Sequence, residues 1–67
     1  MDEIEELLHI EQELEQINRR LMKLFPREHP RFNDVFEDKG AAGYYIQESI
    51  YCIKAVIRAV QDDEDEE

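Results

Sequence analysis

Apolar side chains recur at Leu7, Ile10, Leu14, Ile17, Leu21 and Leu24, separated alternately by three and four residues. That spacing lays one stripe along a helix, and the Glu, Gln, Asn and Arg between them suit its solvent face. Asp2 and Glu3 match the positive end of the helix dipole, while Arg19, Arg20 and Lys23 match its negative end. Pro26 disfavours helical geometry in the residue before it, so the pattern predicts a helix over about residues 3–24.

A second stripe, Ile46, Ile50, Ile53, Ile57 and Val60, predicts another helix over about residues 41–61, with Gly40 or Gly43 near its start. Beside it runs a further line of Tyr45, Ser49, Cys52, Val56 and Ala59. Together the two lines are wider than one partner helix can cover. Tyr45, Ile46, Ser49, Ile50, Cys52, Ile53, Val56, Ile57 and Val60 are therefore expected to join copies of the chain. Two such hairpins would form a four-helix bundle, with coiled-coil crossing angles near ~20°. The alternative is that Tyr44, Tyr45 and the connector phenylalanines cover the excess within one chain.

The connector from Phe25 to Gly40 is long for a helical hairpin. Phe32, Val35 and Phe36 fall at helical spacing with Asn33 placed to cap, so a short helix at about 33–38 is expected to plug the bundle's open end. Residues 62–67 are too acidic to fold by themselves and are expected to form a disordered tail. The predicted fold class is thus all-α: one antiparallel helical hairpin over residues 1–61, self-associating into a bundle.

Composition strengthens the case for self-association. A chain of 67 residues buries too little for a robust core of its own. Cys52 is the lone cysteine, and His9 and His29 stand apart, so neither an internal disulfide nor a zinc staple is available. No export signal or membrane span is expected, and one unpaired thiol fits a cytoplasmic protein. The net charge of −10 argues against direct DNA binding, but it is unevenly spread. Residues 1–17 hold seven acids and no Lys or Arg, and six acids follow Gln61. Between Asn18 and Arg31 stand five bases and only Glu28. Folding back would create an acidic pole at the termini and a basic pole at the corner.

Little in the chain suggests catalysis. Ser49 is the sole Ser or Thr and has no histidine nearby in sequence, so no enzyme is expected. Glu6 and His9 have a bundle metal-site spacing, but the adjacent seam is apolar; no metal or cofactor is expected. The basic corner offers more. Arg19, Lys23, Arg27 and Arg31, with Tyr44 and the small residues of GAAGYY, could hold a phosphate-bearing ligand. The competing reading is that these bases complement the helix end and pair with Glu37 and Asp38. The acidic pole could be a solvated surface, a site for a basic partner, or a nucleic-acid mimic.

LMKLFPRE followed by IQESIYCIKAVI resembles the helical hairpin of the phage anti-CBASS cyclic-oligonucleotide sponges. The resemblance covers Leu21–Glu28 and Ile46–Ile57, about half the chain. It implies an oligomeric, non-catalytic phage protein that sequesters a signalling nucleotide. The chain departs by a longer connector and by Cys52 where a tryptophan would stand. The leading expectation is instead a homo-oligomer that binds a partner protein as an inhibitor or adaptor, with a nucleotide sponge second and nucleic-acid mimicry third.

Overall fold

The computed structural model describes residues 2–65. The described residues form two helices, α1 (Glu3–Lys23) and α2 (Phe32–Asp65), and no strand. Asp2 caps α1, its Oδ1 accepting from the Ile4 N–H at 3.1 Å, with Glu3, Glu5 and Glu6 in the first turn. The helix ends one residue before its expected last residue, at Leu24, whose backbone is already extended. Phe25 then takes a left-handed φ of 51°, directing the chain into Pro26. Its ring meets His29 edge-on at 4.8 Å. Successive turns follow: the His29 N–H donates to Pro26 O, the Phe32 N–H to His29 O, and the Asp34 N–H to Arg31 O. His29 Nδ1 also accepts from the Arg31 N–H. This chain of tight turns winds directly into α2.

The connector is therefore shorter, and the second helix longer, than the apolar pattern predicts. No separate helix occupies 33–38, because Phe32, Val35, Lys39, Gly43 and Ile46 continue the stripe of Ile50, Ile53, Ile57 and Val60 within one uninterrupted helix. Lys39 and Gly43 stand at seam positions, which hides the continuity in sequence. Eight residues, 24–31, separate the helices, an ordinary length for a hairpin. At the other end α2 continues through Asp65, so the expected disordered tail is helical over residues 62–65. Glu66 and Glu67 lie outside the described residues.

The helices pack antiparallel, as the Glu11–Lys54 ion pair at 3.5 Å and the meeting of Asn18 and Met22 with Gly43 show. Ile50 and Ile57 are the buried side chains, at 6% and 8% exposure, with Ile46, Ile53 and Val60 half-buried around them. These five were expected between copies; within one chain they line the seam against α1. On α1 the half-buried line is Ile4, Leu7, Glu11, Leu14, Asn18 and Leu21, so Ile17 and Leu24 stand to one side and remain exposed.

Lys39 closes the corner. Its ammonium donates to the carbonyls of Met22, at 3.1 Å, and Leu24. These are carbonyls at the end of α1 that an isolated helix would leave to water. The charge also opposes the negative end of the α1 dipole. Lys39→Met keeps the half-buried stem but removes both bonds. It should lower stability by about 1–2 kcal/mol, read as a shift in the urea midpoint. The two glycines of α2 behave differently. A Cβ at Gly43 would lie 2.8 Å from Met22 Cε, so a side chain there would displace the flexible end of Met22. Gly40 faces open space, with nothing within 4 Å of its would-be Cβ. Gly40→Ala should therefore raise stability by roughly 0.5–1 kcal/mol, measured by denaturant unfolding.

Candidate functional site

The bases of the corner have different surroundings. Arg31 is engaged by Asp34, with Nε donating to Oδ2 at 2.6 Å. Lys23 and Arg27 point into solvent. Arg19 lies in a polar groove between the helices with Glu15, Asn18, Gln47 and Lys54, and Ile50 at its floor. Tyr44 donates its hydroxyl hydrogen bond to Glu48 at 3.0 Å. Accepting that bond, and by its charge, the Glu48 carboxylate pushes the exposed phenol above its ordinary pKa. Residues 40–43 do not begin a helix but lie inside α2, where their N–H groups belong to the helical ladder. The backbone donors on which the anion-binding expectation depended are thus internally used.

The other sequence candidates occupy open surfaces. His9 lines a shallow depression on the outer side of α1 with Glu5, Leu8 and Gln12. Among the described residues no three His, Cys, Asp or Glu side chains come together as a metal site. Ser49 sits with Tyr45, Glu48, Cys52 and Ile53 in an open hollow on α2 that contains no histidine. No described helix is long and apolar enough to cross a membrane.

The two sides of the hairpin differ in chemistry. One carries the Arg19 groove and the Glu11–Lys54 pair. At 100° per residue in an antiparallel pair, the opposite side takes Ile17 and Leu24 from α1 and Ser49 and Val56 from α2. Ile17, Leu24 and Val56 are each about half exposed there. Leu24 and Ile17 line a largely apolar hollow with Leu21 and Arg20. Away from α1, α2 adds Tyr44, Tyr45 and Tyr51, the last two at 67% and 71% exposure. Tyr44 and Tyr45 touch edge-on at 5.5 Å.

Two interior groups were missed by periodicity alone. Lys39 looked like a connector charge, although its position four residues after Val35 and four before Gly43 fits a seam. Asn18 occupies the seam of α1, and its Oδ1 is buried without a hydrogen-bond partner beside Gly43. Its spacing of four from Leu14 and three from Leu21 was the available signal. No protein-family model, curated protein or solved structure matches this chain.

Proposed function

We propose that the chain is a non-catalytic, self-associating helical hairpin that binds a partner protein as an inhibitor or adaptor in the cytoplasm. The observation that carries this reading is the surface of α2. Tyr45, Cys52 and Val56 are exposed on one flank, and Tyr44 and Tyr51 on the other, although α1 already packs on the seam between them. A helix with apolar and aromatic groups over so much of its circumference is suited to more than one packing partner. Tyrosines contribute large contact areas at low entropic cost and recur in binding hot spots. The first flank, continuous with Ile17 and Leu24, serves self-association. Tyr44 and Tyr51, two helical turns apart, serve the partner protein.

A photo-crosslinking amino acid placed at Tyr51 tests this division in cells, with Gln12 on the outer side of α1 as the comparison position. One discrete protein adduct at position 51, absent at position 12 and lost on Tyr44→Ala with the oligomer retained, is expected. Equal labelling at both positions would remove the tyrosine flank as the docking surface. Isolation of the protein with a small anionic molecule and no protein adduct would favour the nucleotide-sponge reading instead.

A further inference from the structure

We propose that two copies pack antiparallel, α2 against α2, about a two-fold axis between Ser49 and Cys52. This rests on the self-association reading and adds the face, the orientation and the register.

The exposed area sets the requirement. One chain exposes 5723 Å², whereas a compact monomer of its mass exposes about 4,500 Å². The difference, roughly 1,200 Å² per chain, reflects the elongated shape and leaves room for the ~800 Å² per partner of a standard interface. The hairpin is an elongated single layer of 57 × 19 × 12 Å, so a second layer must come from outside the chain.

The chemistry of the two broad sides selects the face. The Glu11–Lys54 side carries an ion pair and a groove lined by Glu15, Asn18, Arg19 and Gln47. The opposite side exposes Ile17, Leu24 and Val56. There α2 carries Ala42, Tyr45, Ser49, Cys52, Val56 and Ala59, separated by 3, 4, 3, 4 and 3 residues. This line reads the same in both directions. Turned about its midpoint, it sets Ala42 against Ala59, Tyr45 against Val56, and Ser49 against Cys52. Small residues at the centre and ends permit the helices to approach closely, while each tyrosine lies over the smaller Val56.

Charge selects the orientation. The hairpin has seven acids within residues 1–17 and four more at residues 62–65 at one pole, whereas the corner end sets Arg19, Arg20, Lys23, Arg27, Arg31 and Lys39 against Glu28, Asp34, Glu37 and Asp38. A parallel pair would superpose two acidic poles, whereas an antiparallel pair separates them and sets each toward the partner's corner end, where the bases outnumber the acids. This gives the corner bases a function that does not require them to converge on a small ligand.

Single cysteines in a Cys52→Ser background test orientation, using Ala42→Cys and Ala59→Cys with a short bis-maleimide. Both positions are exposed in the hairpin. In the antiparallel dimer, equivalent residues at either position lie roughly 25 Å apart along the helix axis, at 1.5 Å per residue. Mixing the two variants should therefore give a linked heterodimer, while neither should link to itself. Efficient self-linking of each variant, with no gain on mixing, would overturn the antiparallel arrangement while retaining self-association. Sedimentation of both variants and the parent as single chains would overturn the self-association reading itself.

Discussion

Ile50→Asp should unfold the hairpin. Ile50 is 6% exposed and stands midway along the seam between the helices. The substitution removes packing worth about 2–5 kcal/mol and sets a desolvated carboxylate into the apolar seam, at the floor of the groove that Arg19 and Lys54 line. A fold of this size has a total stability of only about 3–5 kcal/mol, so no margin remains. Far-UV circular dichroism should show most helicity lost and no cooperative urea transition. Ile50→Val, which keeps the shape, should cost only about 1 kcal/mol and preserve the transition. A folded Ile50→Asp variant with parental helicity would place the core elsewhere.

The second large effect is expected at Val56, on the opposite criterion. Its side chain is 47% exposed in a single hairpin, where a surface substitution costs under about 0.5 kcal/mol. In the proposed dimer, however, Val56→Glu buries a carboxylate against Tyr45 of the second copy, twice per assembly. The dissociation constant should rise at least about a hundredfold, equivalent to about 2.7 kcal/mol. Gln12→Glu adds the same charge on the outer side of α1 and should leave association unchanged. If Val56→Glu and Gln12→Glu associate like the parent chain, Val56 lies outside any interface between copies.

These contrasting effects follow from a division of α2 that the sequence shows only in part. The bounds of α1 were legible because Asp2, the terminal charges and Pro26 are local signals. Leu7, Leu14 and Leu21 were also legible as seam residues. The assignment of Ile17 and Leu24 to the same seam was less accurate, because the stripe facing α2 passes through Glu11 and Asn18 instead. An apolar pattern cannot mark a position filled by a polar residue. Glu11 is accommodated by Lys54, while Asn18 fits beside Gly43, and both arrangements depend on residues far away in sequence. The same limitation concealed the first two turns of α2. Lys39 breaks the apolar series yet belongs to the seam, because its ammonium reaches back to the last carbonyls of α1.

The candidate site was legible in composition but not in geometry. A cluster of bases beside two prolines is visible in sequence, and so is the nearby GAAGYY segment. Whether they converge depends on where α2 begins. A start at Phe32 commits the backbone donors of residues 40–43 to the helix, and the neighbouring carboxylates Asp34 and Glu48 engage Arg31 and Tyr44. The excess apolar surface on α2, by contrast, was readable from spacing alone, because Tyr45, Ser49, Cys52 and Val56 lie on a line that α1 does not reach.

The central claim is that this single-layer hairpin is completed by a second copy. Sedimentation equilibrium of the full chain, followed over a wide concentration range and at two salt concentrations, tests it most directly. Twice the chain mass is expected, with tighter association at the higher salt, because screening weakens the repulsion between two chains of net charge −10. A single-chain mass throughout, together with intact helicity and a cooperative urea transition, would contradict it.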